Sequence, residues 1–146
     1  DMVKTIYTNI KEQGLHQNDV AIICSRIATI KEFDYIIRHE AKHRTMVTFE
    51  SKEFSESMYV DLKNMRRNRK VAFNHNPGTI KLSTTHSYKG FESPTVFLIL
   101  NEYDHNEMVY TAITRAKFNI IVFLKNDSQY KSFFQSHCED EQLIKS

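Results

Sequence analysis

Asn18-Asp19-Val20-Ala21-Ile22-Ile23-Cys24 is a turn-forming pair followed by an apolar run with no polar interruption. A strand with one wet face alternates apolar and polar residues, whereas an unbroken apolar run after turn residues reads as a strand buried on both faces of a parallel sheet. The period then changes. Ile27, Ile30, Phe33, Ile36 and Ile37 recur at the spacing of an amphipathic helix, and Thr45-Met46-Val47-Thr48-Phe49 returns to β-rich composition. Strand, helix, strand is the unit from which a parallel sheet with helices on its faces is built.

Working outward, Met2, Val3, Ile6, Ile10 and Leu15 predict a leading amphipathic helix, with Gly14 as its stop. Downstream, Phe54, Met58, Leu62 and Met65 predict a helix over 51–68 that ends in the basic run Arg66, Arg67, Arg69 and Lys70. Such a run at a helix end reads as a solvated face favoured by the helix dipole. Asn74-His75-Asn76-Pro77-Gly78 is the clearest turn. Strands are predicted over 79–84, 94–100 and 118–124, a short helix over 107–116, and a closing helix that includes 130–134, with Phe133 and Phe134 as core residues. The expected architecture is an open α/β domain with a mainly parallel sheet flanked by helices, covering 1–146 as one unit. Ligands of such sheets bind at the carboxyl ends of strands, which directs attention to the loops after Thr84 and around Arg115.

Twenty basic residues stand against 18 acidic ones, a balance that neither demands nor excludes a nucleic-acid partner. No stretch approaches the roughly 20 apolar residues of a membrane span, so no membrane association is expected. Cys24 and Cys138 lie far apart with no Cys-x-x-Cys pair, which supports neither a disulfide framework nor a metal site and suits a reducing, cytoplasmic setting. The chain opens on Asp1 and shows no secretory leader, so it is expected to be a piece of a larger protein.

Two segments carry chemistry. The first is Lys81-Leu82-Ser83-Thr84-Thr85-His86-Ser87-Tyr88-Lys89-Gly90-Phe91-Glu92, a β-rich run leading into a polar loop. It is not a P-loop: no Gly-x-x-x-x-Gly-Lys-Ser/Thr occurs in the chain. The second, Glu107-Met108-Val109-Tyr110-Thr111-Ala112-Ile113-Thr114-Arg115-Ala116-Lys117, ends a short helix on an arginine placed just before an apolar strand. On composition alone, Arg115 is a surface residue at a helix C-terminus, Glu92 a solvated carboxylate, Gly90 a turn glycine and His86 an exposed histidine.

Together the two segments resemble motifs V and VI of the UvrD/Rep-type superfamily 1 DNA helicases. There the patterns run Ser-Thr-x-His-Ser-x-Lys-Gly-x-Glu and Tyr-x-Ala-x-Thr-Arg-Ala-Lys, in the same order and each leading into a strand. The resemblance covers roughly residues 79–124 by motif and 19–49 by element order. It implies the second RecA-like motor domain, a three-layer P-loop NTPase fold without its own P-loop. Arg115 would be the finger that reaches the γ-phosphate, where a rigid guanidinium fork suits the charge of the transition state and is worth roughly 10³ to 10⁵ in rate.

By the same resemblance Glu92 would accept a hydrogen bond from the nucleotide ribose, and Gly90 would let the backbone approach the nucleotide. Thr84, Thr85 and His86 would contact the backbone of single-stranded DNA, with RNA also permitted. Lys89 would neutralise phosphate or stabilise the loop. The implied cofactor is ATP with Mg2+, held mainly by an N-terminal RecA-like domain of the same protein. Two departures stand out. Only about thirty residues separate Phe49 from Thr79, so the large inserted domain of the biggest members is not expected, and Arg26 lies one place out of register with a family arginine. A different class of function, a non-catalytic nucleic-acid-binding module on the same fold, needs no γ-phosphate finger. A stand-alone hydrolase built on His86 has no paired acid, nucleophile elbow or metal spacing behind it.

Overall fold

Val20–Cys24 forms strand β1, and none of its five side chains has measurable solvent exposure. The computed structural model describes residues 2–47 and 78–137. The predicted helix over 51–68 with its basic run, the turn residues 74–77 and Cys138 lie outside the described residues. Before β1 stand helix α1 (Met2–Glu12) and a short 3-10 turn, Gln17–Asp19. After it come α2 (Ile27–His39), β2 (Thr45–Val47), β3 (Ile80–Thr84), β4 (Ser93–Ile99), α3 (Asn106–Ile113), β5 (Ala116–Phe123) and α4 (Lys131–His137).

The strands form one sheet in the order β2-β3-β1-β4-β5, and every neighbouring pair is parallel. Successive side chains of a strand face opposite ways, so β1 feeds two cores. Val20, Ile22 and Cys24 meet Ile30, Phe33 and Ile37 of α2 and Val3, Ile6 and Ile10 of α1. Ala21 and Ile23 face Tyr88, Val109 and Ala112 of α3, and Phe134 of α4. Burying a side chain such as Ile22 or Ile23 is worth roughly 2 kcal/mol. The result is the expected three-layer α/β arrangement, compatible with a RecA-like fold. No helix among the described residues is long and apolar enough to cross a membrane.

Local chemistry sets the joints. α1 stops where Gly14 takes a φ of +62°, and the Leu15 amide closes back on the Ile10 carbonyl at 2.9 Å. β2 is tied to α2 by Asp34, which is 1% exposed: one carboxylate oxygen accepts from Arg38 Nε at 3.0 Å, the other from the Thr45 hydroxyl at 2.5 Å. The helix predicted to run to 116 ends at Ile113, and β5 begins at Ala116, earlier than its apolar run suggests. There the edge strand carries a register irregularity against Ser93 and Thr95. Phe134 enters the core, but Phe133 stays about half exposed with its ring stacked on His137 at 4.6 Å, so only one of the pair is a core residue.

Tyr7 of α1 stacks on His43 with ring centroids 4.7 Å apart, and its buried hydroxyl has no hydrogen-bond partner among the described residues. Burial pushes the phenol from 10.0 up to about 12. The unfolded chain therefore loses this proton first, so the stability that Tyr7 contributes is complete below about pH 10 and is lost as pH rises toward 12. Tyr7→Phe removes both the unpaired hydroxyl and the titration. Urea midpoints measured from pH 8 to the alkaline limit should show a variant at least as stable as wild type at pH 8, within about 1 kcal/mol, and a flatter alkaline decline.

Candidate functional site

β3 and β4 both pair in parallel with β1, so residues 85–92 must carry the chain from the carboxyl edge of the sheet across β1 to its amino edge. Cys24 is level with Thr84 on one side and with Ile99 on the other. Ser93 lies six residues before Ile99, which puts the two ends of this connection roughly 20 Å apart. Nine residue steps from Thr84 to Ser93 reach about 30 Å when fully extended, leaving room for tight turns and no regular helix. The Thr84 hydroxyl accepts from the Ser87 amide at 3.3 Å, and the Thr84 carbonyl accepts from the Tyr88 amide at 3.0 Å. Gly90, with φ of +88°, then redirects the backbone toward β4.

Tyr88 anchors this crossing. It is 1% exposed, packs in the core between the sheet and α3, and its hydroxyl lies 2.5 Å from that of Ser93, itself buried. Burial raises its phenol pKa; the Ser93 hydrogen bond and the Arg115 charge oppose the rise, and the Glu92 charge adds to it.

At that edge Arg115 occupies the turn between α3 and β5. Its carbonyl accepts from the Ser93 amide at 3.0 Å, so the two strand starts are laced together. The half-buried side chain crosses to the loop: Nη1 donates to the Phe91 carbonyl at 3.4 Å, Nε to the Thr111 carbonyl at 3.2 Å, and Nη2 to the Thr114 hydroxyl at 3.1 Å. All of these acceptors are neutral, and among the described residues no carboxylate pairs with Arg115. Glu92 is exposed and sits 3.7 Å from the Lys117 ammonium, a solvated and weak pairing. Gly90 and Lys89 are exposed between the two edges. Arg115 and Glu92 therefore share the amino edge, and Gly90 lies on the approach to it. The expectation of the Arg115 loop at the carboxyl ends of the strands is corrected: an arginine just before a strand stands at that strand's amino end.

At the carboxyl edge Thr84 is half-buried and His86 exposed. Thr85 is 2% exposed, and its amide donates to the Cys24 carbonyl at 3.0 Å, extending the β1–β3 ladder by one rung. That removes Thr85 from the solvent-facing set, because the strand pairing continues one residue past β3 and turns its side chain inward. Beside it the Asn101 amide nitrogen donates to the Ser25 hydroxyl at 2.7 Å and to Cys24 Sγ at 3.3 Å, closing the gap between β1 and β4. Burial raises the Cys24 thiol pKa, opposed by hydrogen bonds from the Arg26 backbone and Asn101. Tyr88, Ser93 and Asn101 carry no motif signal; the one visible hint is that two aromatics, Tyr88 and Phe91, stand inside a polar loop. No known protein family and no curated protein matches the chain by sequence.

A Cβ added at Gly90 would meet nothing within 4 Å, so the glycine is required for its left-handed backbone and not for space. Gly90→Ala should cost about 1 kcal/mol, read as a lowered urea midpoint with unchanged slope. An unaltered midpoint would mean that the loop relaxes into another conformation.

Proposed function

We propose that this chain is the second motor domain of an ATP-dependent, superfamily 1 type DNA helicase or translocase of the UvrD/Rep kind, working in the cytoplasm. One observation carries the reading. Arg115 holds its guanidinium on neutral oxygens only, at the same edge as Glu92, and the loop supplying one of those oxygens runs back to His86 at the opposite edge. A charge left without a carboxylate at a half-buried site suits an anion presented from outside.

On this reading ATP with Mg2+ is held mainly by an N-terminal RecA-like domain of the same protein, and it supplies the phosphoryl group whose transfer drives movement. Arg115 leaves its carbonyl partners to donate to γ-phosphate oxygens across the cleft, and Glu92 accepts from a ribose hydroxyl. Gly90 keeps the loop between them free of a side chain. At the other edge Thr84 and His86, and on the crossing Lys89, donate to phosphates of a single strand. With no P-loop in its sequence, the chain alone should not hydrolyse ATP.

The test is single-strand-stimulated ATP turnover by the full-length protein carrying this domain, wild type against Arg115→Ala, with strand affinity measured in parallel. Turnover should fall by roughly a hundredfold or more while affinity holds. Equal turnover in both proteins, or none in either, would replace the motor with a nucleic-acid-binding module on the same fold.

A further inference from the structure

Past β4, residues 100–105 form a braced loop at the carboxyl edge. The Leu100 amide donates to the Phe123 carbonyl at 3.0 Å, the Asn101 amide to an Asp104 carboxylate oxygen at 2.9 Å, and the Asp104 amide to the Asn101 carbonyl at 3.3 Å. The Tyr130 hydroxyl reaches in from before α4 to the Asp104 carbonyl at 2.6 Å and to Asn106 Oδ1 at 2.9 Å. From this frame Tyr103 projects with 76% of its surface exposed. An exposed aromatic on a flexible loop would be unremarkable; one on a turn held by these hydrogen bonds is presented to something.

Its surroundings say to what. The carboxyl ends of β3 and β4 flank that of β1, so the Tyr103 loop and His86 lie on one edge with their strands roughly 10 Å apart. Arg26, which follows β1 between them, is exposed. The acidic groups of the loop are already engaged: Glu102 pairs with Lys125, and Asp104 is 7% exposed and bonded to the Asn101 amide. Cationic or donor side chains that track phosphates, on the same edge as a rigid exposed ring, are the parts from which single-strand sites are made. Among the described residues the other strongly exposed aromatics belong elsewhere, Phe118 near the start of the edge strand β5 and Tyr110 on α3.

We propose that Tyr103 is a stacking platform for a base of a single-stranded nucleic acid whose phosphates pass Arg26 and His86. This rests on the reading of the carboxyl edge as the strand-binding edge. Stacking needs the ring and not the hydroxyl, and it is indifferent to base identity, so it suits a protein that must move along any sequence.

The experiment uses the whole 146-residue chain with fluorescently labelled oligodeoxyuridylate and oligouridylate of equal length. Tyr103→Ala should weaken binding roughly 5- to 100-fold, while Tyr103→Phe stays within about twofold of wild type. The chain has no tryptophan, so Tyr103→Trp installs a single indole whose emission should be quenched by an unlabelled oligomer if a base stacks on it. Dependence on Tyr103 in either oligomer, or in both, supports the platform and assigns the sugar it accepts. Wild-type binding that survives Tyr103→Ala unchanged, with no quenching of the indole, overturns the platform and leaves the strand-binding edge standing. Binding of neither oligomer by wild type overturns both.

Discussion

Everything in this domain depends on β1 being dry on both faces and paired on both edges. Five apolar residues in a row cannot serve a half-exposed strand, so Val20–Cys24 must lie in the middle of the sheet with a helical layer above and below. Parallel partners on either side then leave the chain no short route from β3 to β4. It must cross the sheet from one edge to the other, and residues 85–92 are that crossing.

This constraint gives the polar loop its character. Its first residues belong to the carboxyl edge with Thr84, His86 and the Asn101–Ser25 contact, and its last belong to the amino edge with Glu92 and Arg115. Tyr88 holds the middle, through its amide on Thr84 and its hydroxyl on Ser93. The two ends of the loop are thus joined through a buried ring and one short hydrogen bond. In the proposed motor that is the mechanical requirement: strand binding at one edge and nucleotide chemistry at the other must be felt together, as a coupling free energy between sites.

Much of the fold was legible because the hydrophobic pattern is strong. β1 begins and ends where its apolar run does, and the helical spacing from Ile27 finds α2. Boundaries slipped where tertiary contacts override composition: β5 starts early, at Ala116, because Ser93 binds the Arg115 carbonyl and draws polar residues into the ladder. Strand order was not legible, since it depends on which strands share a face and not on any local signal. Arg115 was expected at the wrong edge although its place just before a strand puts it at the amino end, and Thr85 was not recognised as buried because the pairing that extends β3 by one residue has no local signal. The Asp34 anchor was hidden too, because an aspartate within a helix reads as a surface residue until Arg38 and Thr45 are seen to close on it. Tyr88 occupies an unspecified position of its motif, so the residue that joins the two ends of the loop carried no motif signal.

The most direct measurement of the central claim is the affinity of the full-length protein for a single strand, with and without a non-hydrolysable ATP analogue, in wild type and in Tyr88→Phe. The variant keeps the buried ring and deletes only the hydroxyl bonded to Ser93. If the loop transmits between the edges, the analogue should change wild-type affinity severalfold or more, and most of that change should be lost in the variant. An analogue effect of the same size in both proteins would contradict it, and the two edges would then have to communicate by another path.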